Sequence, residues 1–160
     1  MNSAFSLGVA HALHVIMAII WVGGMLFTVL VLRPAILKID PPLEPPVRLS
    51  IFHAVLKRFF ILVWVAVVLI LFTGYWLLIA RFGDFGAAPL YVHLMHIGGL
   101  VMAVLFVYLY FTAYWPMKRA FKQQGFPAAA ESLDKIRRIV QINLMLGLVV
   151  VIIATAGRYF

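Results

Sequence analysis

The chain has 160 residues, of which 66% are hydrophobic and only 11% are charged, roughly half the charged fraction of a typical soluble domain. This composition excludes an ordinary soluble domain and predicts a small membrane protein with several spans. The chain contains no cysteine, which excludes disulfides and thiolate metal sites.

Four segments are long and apolar enough to cross a bilayer, which takes about 20 mostly apolar residues. They lie at about 7–32, 59–80, 89–114 and 139–157. The first ten residues contain no Lys or Arg and no clear cleavage site, so we expect the first span to be retained rather than removed as a signal peptide. The predicted fold is all-α: one domain, residues 1–160, with four transmembrane helices in an antiparallel bundle built from two similar helical hairpins.

The connections between the spans carry the helix-breaking residues. The first contains IDPPLEPP, residues 39–46, whose prolines disfavour helix and favour an extended chain. The sequence VRLSIFHAVLKRFF that follows can be helical and can join the second span as one long projecting helix. In the third connection we predict a break at Gly125-Phe126-Pro127 and a helix cap at Ser132.

The net charge of +8 is concentrated in two of the three connections. Eleven of the thirteen Lys and Arg residues lie in or beside the first and third connections, whereas the second has only Arg81 and the C-terminus only Arg158. Because an excess of Lys and Arg marks the cytoplasmic side, we expect a multi-pass protein of a bacterial-type inner membrane with both termini outside. The same distribution indicates contact with membrane lipid and excludes nucleic acid as a partner.

Four of the five histidines lie in two matched motifs, HALH at 11–14 and HLMH at 93–96. The same offset of 82 residues separates two further pairs, Pro34 and Pro116, and Thr73 and Thr155. This spacing indicates that a helical hairpin has been duplicated. Residues three apart share a helix face, and ionisable side chains in a membrane usually face the bundle interior. His11, His14, His93 and His96 are therefore candidate ligands of a haem or a metal ion near the outer face.

Two cofactors suit these histidines. In a sequential four-helix bundle the first and third helices lie on a diagonal, roughly 12–14 Å apart, which fits a b haem between two imidazoles. Its propionates are then expected to pair with Arg81 or Arg158. Copper is the alternative, because imidazole and thioether both bind it, and Met17 and Met95 lie close to the histidines in sequence.

Several segments together resemble the small CopD-type membrane proteins, whose name refers to copper resistance. They are LHVIMAIIWVGGMLF followed by Arg33-Pro34, HAVLKRFF at 53–60, APLYVHLMH at 88–96 and IRRIVQINLMLGL at 136–148. The resemblance covers essentially the whole chain and implies copper handling, with His14, His53 and His93 matching the family's histidine positions best. A related group, the HemJ-type protoporphyrinogen oxidases, binds b haem and is similar in LHVI and the following Trp and Gly. That group has an acidic residue after a late asparagine, where this chain has Asn143 followed by Leu144.

The leading functional prediction is an integral membrane b-haem protein of cytochrome type, acting in electron transfer or haem handling. The alternatives are a copper-binding or copper-transport protein that uses the same histidines, and an accessory subunit of a larger membrane complex. An oxidoreductase activity, including that of protoporphyrinogen oxidase, is left open, as are a redox or metal-delivery partner and homo-oligomerisation. His53, at the basic end of the second span, is a further candidate ligand or an interfacial side chain.

Overall fold

Four long helices make up the molecule. The computed structural model describes residues 3–159, and the side chains of all of these except Ser3 and Arg158. Within this range the structure is helical and contains no strand. Its four helices, of 31 to 38 residues, are long and apolar enough to cross a membrane, which confirms the predicted all-α membrane fold.

The helices are labelled α1 to α4 in chain order. Helix α1 is continuous through Ser3–Ala18, a π-helical turn at Ile19–Gly23, Gly24–Phe27, a second π-helical turn at Thr28–Leu32, and Arg33–Leu37. Helix α2 is Pro45–Phe82. Helix α3 comprises Leu90–Leu109, a π-helical turn at Tyr110–Tyr114, and Trp115–Lys122. Helix α4 is Phe126–Ala156, followed by a 3₁₀ turn at Gly157–Tyr159.

Prolines and glycines decide where these helices begin and end. Helix α2 begins at Pro45, directly after the proline-rich stretch, because a proline in the first helical turn gives up no hydrogen bond. It ends before Gly83, whose φ of 82° favours glycine. Helix α4 begins at Phe126 with Pro127 in its first turn, so the predicted break is confirmed. The predicted cap at Ser132 is wrong, because Ser132 lies well inside α4.

The length of α2 carries it beyond the bilayer. Its 38 residues extend about 57 Å at 1.5 Å per residue, whereas the hydrocarbon core is about 30 Å thick. The stretch VRLSIFHAVLKRFF is helical and continuous with the second span, as the sequence predicted, and projection of its N-terminal part on the side of the first and third connections stays a prediction.

Two π-helical turns lie at matched positions in the two halves of the chain. Thr28–Leu32 and Tyr110–Tyr114 differ by the same offset of 82 residues as the histidine motifs, and each is followed by a residue and then a proline, Pro34 or Pro116. A proline inside a helix has no N–H to donate, and its ring crowds the carbonyl four residues earlier. The wider π turn relieves that crowding. The repeated turn supports the duplication inferred from the sequence.

The helices pack closely as pairs, α1 against α2 and α3 against α4. Glycines allow this approach, since a Cβ at Gly24 would overlap Phe59 and a Cβ at Gly98 would overlap Val150. Membrane helices use small residues in this way because close van der Waals packing, rather than the hydrophobic effect, holds them together.

An aromatic cluster joins the two pairs of helices at the centre of the bundle. Phe106 of α3 contacts the rings of Trp21, Phe60 and Trp64 at centroid distances of 6.3, 5.7 and 5.1 Å, and the ring of Tyr114 lies 4.8 Å from Phe60. Such edge-to-face contacts stabilise a core beyond the area they bury. The cluster lies between two cavities, one toward each end of the bundle.

Candidate functional site

A cavity of about 70 Å³ lies between α1, α2 and α3 near the ends that carry the paired histidines. We call it the outer cavity, because the distribution of Lys and Arg predicts that these ends face outward. His14 of α1 and His96 of α3 both line it, together with Met95 of α3 and Tyr75 of α2. The other lining residues are apolar, and none of the described residues of α4 is among them. Two imidazoles from different hairpins therefore meet at one cavity, one from each of the matched motifs.

His14 is held by a hydrogen bond between helices. Its Nδ1 lies 3.0 Å from Oγ1 of Thr73, a side chain of α2 that is only 3% exposed. The Thr73 hydroxyl donates its proton to the carbonyl of Leu69 at 2.6 Å, so its oxygen accepts from the Nδ1–H of His14. With the proton on Nδ1, Nε2 keeps a free lone pair, the form of imidazole that binds a metal.

Gly74 leaves room for the His14 ring. A Cβ at Gly74 would lie 3.2 Å from Cε1 of His14, closer than an ordinary van der Waals contact. Gly74 and Gly99 both line the cavity, but a Cβ at Gly99 would meet no atom within 4 Å. The absence of a side chain at Gly74 therefore leaves room for the His14 ring, whereas its absence at Gly99 adds to the open volume of the cavity.

His96 has a different environment from His14, although the two are equivalent in the repeat. Its Nε2 lies 3.3 Å from the hydroxyl of Tyr75, which can donate to it. Thr155, the counterpart of Thr73, instead donates to the carbonyls of Val151 and Ile152 in its own helix. A metal that reaches Nε2 of His96 must therefore displace the Tyr75 hydroxyl, whereas the hydrogen bond between His14 and Thr73 is at Nδ1 and not at Nε2.

The outer cavity does not include the other two histidines of the motifs. The Nδ1 of His93 lies 3.2 Å from the carbonyl oxygen of Pro89, and its ring packs edge-on against Phe85 at a centroid distance of 4.5 Å. His11 is exposed one turn before His14. Neither lines the cavity, so of the four candidate histidines the structure brings together His14 and His96 there.

The remaining predicted site residues lie elsewhere. His53 stacks on Phe121 near the basic end of the bundle, with ring centroids 4.6 Å apart, and its buried Nε2 has no hydrogen-bond partner. Arg81 is exposed in the last turn of α2 and does not line the cavity. The side chain of Arg158 lies outside the described part of the chain. Pairing of these arginines with haem propionates stays a prediction.

The donor atoms of the cavity suit a soft metal ion. Within residues 3–159 no three His, Asp or Glu side chains cluster as a metal site, so an ion here would be held by two imidazoles and the thioether of Met95. This neutral N and S donor set is the kind that Cu(I) prefers. The 70 Å³ volume accommodates an ion, but organic ligands occupy pockets of about 300–1,000 Å³. A b haem between α1 and α3 would require the helices to separate.

Two polar residues of the site were not identified from the sequence. In the sequence Thr73 stands out only as part of the repeat, and Tyr75 is not among the candidate residues. The available signal for Thr73 was a polar side chain in an apolar span, which usually faces the bundle interior. Thr73 and Asn143 are the buried polar side chains among the described residues, and Oδ1 of Asn143 has no partner there.

Comparison with known proteins gives a family. A protein-family model described as copper resistance protein D matches residues 53–156, the stretch that contains Thr73, Tyr75, Met95 and His96 but not His14. No curated protein and no solved structure matches significantly. The relation to the HemJ group therefore stays a prediction. Since the family model spans well over half of the chain, this protein belongs to the copper resistance protein D family.

Proposed function

We propose that the protein binds copper inside the membrane, with Cu(I) held by His14, His96 and Met95 at the outer cavity. The observation that carries the proposal is that these three side chains, from α1 and α3, line one small cavity. The family's description, copper resistance protein D, supports the same metal.

The charge of the site favours the cuprous ion. Its three donors are neutral, and no Asp or Glu lines the cavity. Placing an ion in apolar surroundings costs free energy that rises steeply with its charge, so a monovalent ion is easier to hold here than a divalent one. Thioether and imidazole ligands add a preference for Cu(I) over harder cations.

The surrounding residues prepare one ligand more fully than the others. Thr73 keeps the proton of His14 on Nδ1, and Gly74 leaves space for the ring, so Nε2 of His14 can bind a metal without a change of tautomer. His96 becomes a second ligand when the Tyr75 hydroxyl no longer bonds to Nε2 of His96. With both termini outside, as the distribution of Lys and Arg indicates, the cavity lies in the outer half of the membrane, where a metal-delivery protein can reach it.

Metal analysis and spectroscopy of the purified protein test the proposal. Anaerobic titration with Cu(I) in detergent should saturate at one ion per chain. His14→Ala and His96→Ala should each weaken binding at least tenfold, whereas His11→Ala and His93→Ala serve as matched controls and should bind normally. Each control lies three residues from its ligand in the same helix.

The same preparation distinguishes the other functions. Unchanged Cu(I) binding in both His14→Ala and His96→Ala would overturn the proposed site. A Soret band that is lost in those two variants would show a b haem instead. A protein that carries neither copper nor haem and co-purifies with other membrane proteins would favour the accessory-subunit function.

A further inference from the structure

A second, larger cavity lies toward the opposite end of the bundle. This inner cavity has a volume of about 420 Å³ and is formed by α1, α2 and α4. It shares no lining residue with the outer cavity. Apolar side chains such as Val29, Leu56 and Val140 make up most of its wall. It lies on the side of the bundle where the basic first and third connections are found.

The inner cavity has an excess of positive charge. Three arginines line it, Arg33, Arg48 and Arg137, against a single carboxylate, Asp134. Nη1 of Arg137 donates to Asp134 at 3.2 Å, but Nε of Arg137 is buried and has no hydrogen-bond partner. A buried donor without a partner is costly, so an anion bound beside Arg137 would relieve that cost.

Helix geometry adds to the positive potential. The first residues of α2 and α4, Pro45 and Phe126, both line the inner cavity, and a helix N-terminus carries a partial positive charge. Arg48 lies near the N-terminus of α2 and is half-buried, a position that disfavours a cation unless an anion is near. Positive charge from α1, α2 and α4 therefore lines one cavity, which favours an anionic occupant.

The walls show what kind of anion fits. A free phosphate ion would pair with the arginines but leave the apolar wall uncovered. A neutral ring compound would cover the wall but leave the arginines unpaired. An anionic group attached to a hydrocarbon chain satisfies both, because the wall continues from the arginines toward the bilayer centre along Val29, Leu56 and Val140.

We propose that the inner cavity binds an anionic phospholipid, with its phosphate at Arg33, Arg48 and Arg137 and one acyl chain along the apolar wall. Guanidinium groups pair with phosphate through two parallel hydrogen bonds, and basic pockets between membrane helices are suited to anionic headgroups. The bound lipid bridges α1, α2 and α4 and so ties the first hairpin to the second.

Lipid occupancy of the full-length protein in detergent, measured by native mass spectrometry, tests the proposal. Phosphatidylglycerol should be retained, phosphatidylcholine should be lost, and inorganic phosphate should not displace the bound lipid. Arg137→Gln should lower phosphatidylglycerol occupancy about tenfold, because glutamine removes the charge and one of the two hydrogen bonds but can still donate the other. Arg138→Gln is the matched control, since Arg138 is exposed and does not line the cavity.

A second pair of variants tests the acyl-chain part of the cavity. Gln141 lines the cavity and is exposed, so Gln141→Trp should fill the cavity and expel the lipid. Ile142→Trp, at the neighbouring exposed position outside the cavity, should not.

If Arg137→Gln fails to fold, Arg48→Gln replaces it, because Arg48 also lines the cavity. Its control is Arg58→Gln, since Arg58 is exposed and lies outside the cavity.

Three results would overturn the lipid site. An equal loss of phosphatidylglycerol in Arg137→Gln and Arg138→Gln would show that surface charge, rather than the cavity, holds the lipid. Equal retention of phosphatidylcholine and phosphatidylglycerol would show that the lipid only fills an apolar space and is not selected by its charge. Binding of inorganic phosphate that is unaffected by Gln141→Trp would show a site for a free anion.

Discussion

Replacing Thr73 by valine should weaken copper binding without removing a ligand. Valine has nearly the shape of threonine but no hydroxyl. The substitution therefore removes the acceptor that lies 3.0 Å from Nδ1 of His14 and leaves the packing of α1 on α2 in place. The backbone loses nothing, since the Leu69 carbonyl that accepts from Thr73 lies within the hydrogen-bonded helix α2.

The size of the effect follows from removing the acceptor of a partly buried donor. Leaving the Nδ1–H of His14 without an acceptor costs about 1–3 kcal/mol. The imidazole can avoid this cost by moving its proton to Nε2, but that tautomer has no lone pair on Nε2 for the metal. The cost then falls on metal binding, and the affinity for Cu(I) should drop about 10- to 100-fold, the range seen when an outer partner of a metal ligand is removed.

Two measurements check this expectation. Competition with a chromophoric Cu(I) chelator gives the affinity, and ¹⁵N NMR of the metal-free protein reports which ring nitrogen of His14 carries the proton. The wild type should show the Nδ1–H form, and Thr73→Val a mixture of both tautomers. Thr155→Val is the matched control, because Thr155 is the repeat equivalent of Thr73 but bonds to carbonyls of its own helix.

The reasoning is refuted if Thr73→Val and Thr155→Val bind Cu(I) equally well while His14→Ala does not. It is also refuted if the wild-type protein carries the proton of His14 on Nε2. The NMR result does not depend on copper, so it tests the orientation of the imidazole even if the metal proves to be another.

Gly98→Ala should lower the melting temperature, since its Cβ would lie 2.5 Å from Val150 and overpacking costs about 1–3 kcal/mol. Gly99→Ala, with no neighbour within 4 Å, is the control, and equal melting temperatures would contradict the packing of α3 on α4. Tyr75→Phe frees Nε2 of His96 from the hydroxyl at 3.3 Å and should tighten Cu(I) binding several-fold in the chelator assay, whereas weaker binding would make Tyr75 a ligand. A reporter enzyme that is active only in the periplasm should be active when fused to the C-terminus. Activity of a reporter that works only in the cytoplasm would show that the predicted orientation is wrong.

Much of the helical framework could be predicted from local sequence. Long apolar stretches leave the backbone no alternative to helix inside a bilayer, because every N–H and C=O must be bonded within the chain. Prolines mark the helix starts at Pro45 and beside Pro127, since they act through their own backbone geometry. Ser132 does not cap α4, because a serine caps a helix only where the preceding chain is non-helical, and here the helix begins at Phe126.

The matched histidine spacing also contained real structural information. It placed His14 and His96 at equivalent positions, and the π turns before Pro34 and Pro116 repeat with the same offset. Local chemistry explains the repeated turns, because in both halves a proline follows two residues later and crowds the preceding helical turn in the same way.

Which faces of the helices meet was decided by the tertiary structure alone. In a soluble protein the apolar stripe of a helix marks its buried face, but in a membrane span every face is apolar, and lipid contact and core contact look alike in the sequence. The partners of His14 and His96, Thr73 and Tyr75, lie 59 and 21 residues away and depend on how the spans rotate. For that reason the chain's repeat could not show that Thr73 contacts a histidine while Thr155 does not. Nor could the residue types show that three arginines from three helices line a single inner cavity, because only helix packing brings them together.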